Sequence, residues 1–340
     1  MNLSGILSTC VAAAFLASSG ILGGCSRSPS DSDAPSIRLN TPLITDYRAE
    51  EITELTLTQN DPSTQSNWTA SLTRPAVNSV ASTSGHLDPK AEWVIQSAPG
   101  GQQLLDRRAD SAFVNHLLSL LATFQAVDEA PRGPPASFGL EPPRFGIRAS
   151  GNGKSFAVNL GFPAPKGAGS YTDIPGPPAS RIVVGSGSMI EMLGMIQSFD
   201  VLRRRTLSNL SADDVDEIEL WAKGQKLIYA QRQGDDWADA HQKKLRAPLQ
   251  ATLSETLEAL THLRIQSFLD DSPAARNPQA RLKKAEYRAI LKDRSGTPME
   301  IRLTRIGDRL WGSSTSRGEA VFEMHPDSTR FWNPSNFSGK

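Results

Sequence analysis

Cysteine is scarce in this chain of 340 residues, which contains only Cys10 and Cys25. Because both thiols lie near the N-terminus, the sequence excludes a disulfide framework or a thiolate metal site for the rest of the chain. An excess of charge of one sign is also missing, since 36 basic side chains balance 36 acidic ones. Nucleic-acid-binding proteins need a basic surface that displaces counterions from phosphates. The composition therefore gives no support to a nucleic-acid partner.

Aromatic residues are few, at 6% of the chain, whereas Gly and Pro are plentiful at 26 and 23 residues. This composition is typical of a loop-rich α+β protein and not of a coiled coil. The length allows about two domains, each able to bury its own hydrophobic core.

Charged residues are absent from residues 5–23, GILSTCVAAAFLASSGILG. Such a run is typical of a transmembrane helix or of a secretory signal, and its content of Ser, Thr and Gly favours the signal. The run leads into Leu22-Gly23-Gly24-Cys25, which resembles the lipobox of bacterial lipoproteins. Unlike the usual pattern, no Lys or Arg precedes it. An uncleaved N-terminal anchor and a buried helix stay open as alternatives.

The lipobox resemblance implies a signal peptide over residues 1–24 and acylation of Cys25 after cleavage. The lipid bilayer is then the first expected partner, because two or three acyl chains anchor a protein stably. Residues 25–50 continue through SRSPSDSDAPS, whose low hydrophobicity predicts a disordered tether. Ser26 stands where many lipoproteins carry an inner-membrane retention aspartate, so the resemblance implies a periplasmic location with the outer membrane slightly favoured.

Residues 51–205 and 206–340 carry similar patterns in the same order. Alternating runs predict strands in each half: ITELTLTQ at 52–59, and VDEIELWAKGQKLIYAQ at 215–231 with a turn at Gly224. An acidic residue and a Trp follow each, Glu92-Trp93 in the first half and Asp236-Trp237 in the second. The polar insertion at 60–90 predicts a surface loop or an irregular hairpin.

A helix is predicted next in each half. Asp110 is the expected cap of the first, and Thr252 with Glu255 has capping-box spacing for the second. Phe268 lies at near-helical spacing from the leucines of the second helix. Strand hairpins follow at 144–161 and 286–306.

The first half ends in a strand and a helix with Ser188 as the expected cap. The sequence therefore predicts an α+β fold of two tandem repeats, each an antiparallel sheet with helices packed on one face.

The stretch Phe138-Gly139-Leu140-Glu141-Pro142-Pro143 resembles a recurrent motif of a bacterial family called domain of unknown function 4340. Glu92-Trp93 and SFDVLRRRTL at 198–207 support the resemblance, which covers most of residues 50–330 and is better supported in the first half. Members are generally membrane-anchored and extracytoplasmic, and are often encoded beside gliding-type ABC transporters. The resemblance implies no catalytic residues.

Motifs that carry chemistry are missing from the pattern. The histidines have no metal-ligand spacing, and we expect His116 and His262 to be partly buried; the five are His86, His116, His241, His262 and His325. GNGK at 151–154 predicts a hairpin turn, and GSGS at 185–188 predicts a turn and helix cap. We therefore expect no catalytic residue, metal or cofactor, although a triad with unrecognised spacing stays open.

Two features are candidate partner surfaces. Met189, Met192 and Met195 cluster on one predicted helix, where adaptable thioethers could line a groove or pack in the core. Arg203, Arg204 and Arg205 stand beside the acidic stretch ADDVDE at 212–217, and we expect a mutual surface contact between them.

The sequence thus predicts a membrane-anchored periplasmic lipoprotein that acts as a non-catalytic accessory module. The family resemblance implies ABC transporter membrane subunits as partners. The alternative is a lipoprotein that binds a glycan, peptide or lipid in a cleft between the repeats.

Overall fold

The computed structural model describes residues 39–44, 48–61, 66–74, 92–165, 169–175, 181–196, 198–270 and 273–338. The predicted signal peptide, Cys25, most of the predicted tether and His86 lie outside these residues. Among the residues described, no helix is both long enough and apolar enough to span a membrane.

The first half forms one antiparallel sheet of eight strands. They are β1 (Glu54–Asp61), β2 (Ser66–Thr73), β3 (Val94–Ser97), β4 (Ala126–Glu129), β5 (Phe145–Gly151), β6 (Lys154–Pro163), β7 (Ser170–Ile174) and β8 (Arg181–Gly185). Their order across the sheet is β3-β2-β1-β5-β6-β7-β8-β4.

The second half forms another eight-stranded antiparallel sheet. Its strands are β9 (Val215–Ala222), β10 (Gln225–Gln233), β11 (Asp236–Ala238), β12 (Ile265–Phe268), β13 (Tyr287–Asp293), β14 (Pro298–Ile306), β15 (Arg309–Ser314) and β16 (Phe322–Met324). Their order is β11-β10-β9-β13-β14-β15-β16-β12, which repeats the order of the first sheet strand for strand. The structure therefore has the α+β class and the repeat-like halves that the sequence predicts.

Each sheet packs its apolar face on helices and so has a core of its own. The helices are α1 (Ser111–Ala122), α2 (Gly187–Met195), α3 (Ala247–Thr261) and α4 (Arg276–Leu282). In the first half, Leu117 of α1 and Leu193 of α2 are buried with Leu57 of β1. In the second half, Leu257 of α3 is buried with Leu220 of β9.

One of the three predicted helix caps is confirmed. The Phe113 N–H donates to Asp110 Oδ1 at 3.0 Å, so Asp110 caps α1 as expected. Ser188 does not cap α2, because that helix already begins at Gly187.

The predicted capping box of the second helix is wrong. α3 begins at Ala247 with Pro248 in its first turn, where a fixed φ and a missing N–H suit a helix start. Thr252 lies inside the helix, and its hydroxyl donates to the Pro248 carbonyl oxygen at 3.1 Å. Phe268, expected at helical spacing, belongs to β12.

Helices lie on both faces of the second sheet, which corrects the prediction of one covered face. Neighbouring residues of a strand point to opposite faces. Accordingly, Leu310 of β15 belongs to the main core, whereas Trp311 packs with Leu282 of α4 and with Val321. We call the face that carries Trp311 the outer face of the second sheet.

The polar insertion at 60–90 contains β2, so residues 66–73 are not a surface loop. They form the second strand of a hairpin with β1, as the other expectation had it. The strand pairs with β1 over its full length, and Trp68, Ala70 and Leu72 are buried at alternating positions. Residues 75–91 of the insertion lie outside the described part of the chain.

Both predicted hairpins are confirmed. Asn152 and Gly153 connect β5 to β6 with φ values of 51° and 74°, the left-handed conformations that a tight primed turn requires. The second hairpin joins β13 to β14, and Gly296 has a φ of 75° in its turn.

The outermost strands of both sheets are short, and each is flanked by a bridge between described residues. β3 and β4 have four residues each, β11 has three and β12 has four. The flanking bridges are Val94 to Arg108, Pro42 to Gln125, Ala238 to Lys244 and Thr206 to Arg264.

Candidate functional site

The segment that connects the two halves is bridged to both of them. Arg203 forms a β-bridge with Ala109 of the first half, and Thr206 forms one with Arg264 of the second. The backbone is therefore held on both sides of the connection. We call this segment, with the buried side chains described next, the junction.

Arg203 makes the first buried ion pair of the junction. Its two terminal nitrogens lie 2.7 Å from the two carboxylate oxygens of Asp270, and the side chains are 1% and 6% exposed. The guanidinium also stacks 3.7 Å from the centre of the Phe268 ring. Gln102 of the first half donates to Asp270 Oδ2 at 3.0 Å. A planar guanidinium suits this two-point contact better than a lysine ammonium would.

Arg317 makes the reciprocal pair, from the second half back to the first. Its guanidinium contacts the carboxylate of Asp106 and donates to the Thr206 carbonyl oxygen, and to that of Arg204 at 3.2 Å. Burial lowers the pKa of Arg317, and the nearby Asp106 carboxylate opposes that shift. A guanidinium nevertheless stays protonated in proteins. The two halves are therefore joined by two buried ion pairs. In one the arginine comes from the first half, and in the other it comes from the second.

The predicted contact between the three arginines and the acidic stretch at 212–217 is wrong. Arg203 is buried and pairs with Asp270, so it is not a surface residue. Arg204 pairs with Glu92, and Arg205 donates to the Gln266 carbonyl oxygen at 3.0 Å. The acidic residues have other partners: Ser211 for Asp214, Arg232 for Asp216 and Lys292 for Glu217.

The methionine cluster lies on α2. Met189 is fully buried in the first core, so it does not contribute to a surface. The side chains of Met192 and Met195 are outside the described part of the chain, and their role as a partner surface stays a prediction.

The stretch Phe138–Pro143 folds into a tight loop against β6. Phe138 ends a short 3-10 helix, and its ring lies 4.6 Å from that of Tyr171, centre to centre. Gly139 follows with a φ of 69°, which favours glycine. A side chain at Gly161 would bring its Cβ to 2.0 Å from the Phe138 carbonyl oxygen. The motif thus fixes a close approach of the loop backbone to β6.

The outer face of the second sheet carries a row of cations. Directly opposed residues of an antiparallel sheet share a face. Five strands place such residues side by side, in the order Lys226, Trp221, Arg288, Arg302 and Ser313. Lys226 also lies 4.9 Å from the Trp221 ring centre.

Carboxylates lie one row away on the same face. Glu219 pairs with Lys226 at 2.8 Å, and Glu300 contacts both Arg288 and Arg302. Burial opposes ionisation of Glu300, but the hydrogen bonds from the two arginines outweigh it and lower its pKa. The hydrogen bond that Arg302 donates to Glu300 raises the pKa of Arg302. Both groups of this pair therefore stay charged over a wide pH range.

The row ends at a cleft between α4 and strands β14 and β15. The cleft has a volume of about 430 Å³. Arg276 and Lys283 line it from the side of α4, Arg302 and Ser313 line it from the sheet, and Glu319 also borders it. Sequence reasoning did not find this site, although Arg276 and Lys283 are spaced by two helical turns.

The expected partial burial of two histidines is wrong. His116 and His262 are exposed, as are His241 and His325. His262 follows α3, and its Nδ1 lies 2.8 Å from the Glu258 carbonyl oxygen. Within the described ranges, no group of three or more His, Cys, Asp or Glu side chains is arranged to hold a metal ion.

A family profile described as a domain of unknown function, DUF4340, matches residues 93–285, which is more than half of the chain. The chain belongs to the DUF4340 family. No curated protein and no solved structure matches the chain significantly.

The DUF4340 match runs through the junction. It begins at Trp93 in front of β3, includes the loop at 138–143 together with Arg203 and Asp270, and ends in front of β13. Arg317 of the junction lies outside it. The resemblance seen in the first half therefore extends into the second.

Proposed function

We propose that this DUF4340 protein is a lipid-anchored periplasmic lipoprotein that acts as a non-catalytic accessory module. The lipobox-like sequence that ends at Cys25 supports the anchor. The proposed partners are the membrane subunits of a gliding-type ABC transporter, as the family resemblance implies. No chemical step is assigned to the protein.

The structural observation that carries the proposal is the pair of reciprocal ion pairs at the junction. They keep the two sheets in one arrangement, because separating them would leave Arg203 and Arg317 without their buried counter-charges. A partner that contacts both halves would then meet a preorganised surface and lose less entropy on binding. This is a property that a scaffold needs.

The two cysteines offer a matched test of the anchor. Cells that express the native chain, Cys25→Ala or Cys10→Ala would be fed an alkyne-labelled fatty acid, and the purified proteins would be assayed for the label. We expect label on the native chain and on Cys10→Ala, because Cys10 lies in the segment removed by cleavage. Cys25→Ala should carry none. Label on Cys25→Ala would contradict lipidation at this cysteine.

Crosslinking in the same native membranes tests the accessory role. We expect transporter membrane subunits to co-purify with the native chain and with Cys10→Ala, and to be depleted from Cys25→Ala. A labelled native chain that brings down no transporter subunit would contradict the accessory role while leaving the anchor intact.

A lipoprotein that binds a ligand is the second candidate function. The cleft beside α4 favours it, since its volume of about 430 Å³ is in the range of small-molecule sites. The sequence predicted that such a ligand binds in a cleft between the repeats. At the junction, however, the space is occupied by buried side chains of Asp106, Arg203, Asp270 and Arg317.

A further inference from the structure

The cleft beside α4 gathers cations from two elements that are distant in sequence. Arg276, Gln279, Ala280 and Lys283 follow one face of α4 at helical spacing, and all of them line the cleft. Arg302 reaches it from β14 on the other side. A ligand in the cleft would therefore meet positive charge from opposite walls.

These cations are incompletely neutralised. Neither Arg276 nor Lys283 has an ion-pair partner among the residues that the structure describes, and both residues are exposed. Arg302 uses one terminal nitrogen on Glu300, and a guanidinium has further donors. Glu319 is the carboxylate on the cleft wall, so basic side chains outnumber acidic ones there.

The walls also offer polar and apolar contact. The Ser313 hydroxyl can donate to an anionic oxygen, while Leu282 and Val321 supply a buried apolar floor. The volume of about 430 Å³ exceeds that of a single phosphate and leaves space for the rest of a ligand. Both residue types suit phosphate oxygens: an arginine guanidinium can donate two parallel hydrogen bonds to them, and a lysine ammonium attracts them as a point charge.

We propose that the cleft between α4 and strands β14 and β15 binds a phosphate-bearing ligand through Arg276, Lys283 and Arg302. The phosphate belongs either to a soluble phosphate ester or to a phospholipid headgroup with a net negative charge. The inference does not depend on lipidation or on a transporter partner, and it gives the second candidate function a ligand class and a location.

Calorimetric titration of the full-length protein in a neutral detergent tests the proposal. The probes are glycerol phosphate, short-chain phosphatidylglycerol below its micelle concentration, and short-chain phosphatidylcholine as the headgroup without net charge. Binding of glycerol phosphate identifies a soluble ester as sufficient, whereas binding of phosphatidylglycerol alone identifies the lipid headgroup. Phosphatidylcholine should not bind measurably.

Paired double variants separate the cleft from general electrostatics. Arg276→Gln with Lys283→Gln should raise the dissociation constant of the bound probe by about tenfold or more, because two charge-assisted contacts are lost. Arg281→Gln with Lys284→Gln removes the same charge from exposed positions outside the cleft lining, and should change it by less than about twofold. Circular dichroism would verify that both variants fold.

Equal affinity of the cleft variant and the native protein would overturn the proposal. The absence of binding by both anionic probes would overturn it as well. Either result would leave the anchor and the accessory role untouched, since those are measured by fatty-acid labelling and crosslinking.

Discussion

Glu300 combines partial burial with two arginine contacts. Its carboxylate is 14% exposed and receives hydrogen bonds from Arg288 and Arg302. Because its pKa is lowered in the folded state, the carboxylate contributes stability above its ordinary pKa of 4.5. That contribution is lost as the pH falls through the lowered folded-state value.

Glu300→Gln should therefore destabilise the protein at neutral pH, by about 1–3 kcal/mol for the loss of hydrogen bonds to a charged group. The difference from the native protein should shrink as the pH falls below 4.5, because the carboxyl of the unfolded chain takes up a proton there before that of the folded protein does. Urea unfolding followed by circular dichroism at several pH values measures it. Glu255→Gln, at an exposed position of α3, is the control. A difference that stays constant with pH would contradict the assignment.

Single residues with local signals were the best predicted part of the chain. Asp110 in front of an apolar helix, and Asn152-Gly153 between alternating runs, act through neighbouring backbone, so short windows of sequence are sufficient. Thr252 and Ser188 had the right residue types but lie inside helices that start earlier. A cap pattern alone does not exclude an earlier start.

At the scale of elements, α4 shows what periodicity misses. The helix has seven residues, and Pro278 and Leu282 are its buried positions. Two apolar positions among charged and polar ones do not establish a helical period. β2 was detectable in retrospect, since Trp68, Ala70 and Leu72 alternate with polar residues. The polar residues that alternate with them made the strand look like a continuation of the polar stretch around it.

The attachment of α4 depends on a small apolar cluster. Leu282→Ala removes a buried side chain that packs with Trp311 and Val321, which should cost about 2–5 kcal/mol. The loss should be concentrated in α4 and the neighbouring strands. Hydrogen exchange measured by mass spectrometry should show faster exchange over 276–282, with little change in α1.

Arg281→Ala is the matched control, because it truncates an exposed position of the same helix. Uniformly faster exchange in both halves of the Leu282→Ala protein would contradict a local role for this cluster.

On the scale of the whole molecule, the junction was beyond the reach of the sequence. The partners Arg203 and Asp270 are 67 residues apart, and Arg317 and Asp106 are 211 apart. Nearby opposite charges at 212–217 were the obvious candidates, but chain proximity does not determine which charges become buried together. The order of patterns in the two halves was informative because it reflects the common strand order of the sheets.

Asp270→Asn should weaken the coupling between the halves. It leaves the buried Arg203 with only the exposed Asp200, 3.4 Å away, as a counter-charge, which should cost about 3–5 kcal/mol. We expect native unfolding in a single calorimetric transition, and a broadened or divided transition in the variant. Asp236→Asn, which removes an exposed partner of Lys244, should leave the transition shape unchanged. An undivided transition with unchanged midpoint in Asp270→Asn would contradict the proposed coupling.

The short outer strands, with their bridges to neighbouring segments, affect what happens when many copies of the protein lie close together. A long unpaired sheet edge is a template on which another copy can add a strand and begin to polymerise. Here the edge strands β3, β4, β11 and β12 have at most four residues, and a bridge to a neighbouring segment interrupts each edge. Many copies concentrated in one plane could therefore touch without joining their sheets into fibrils.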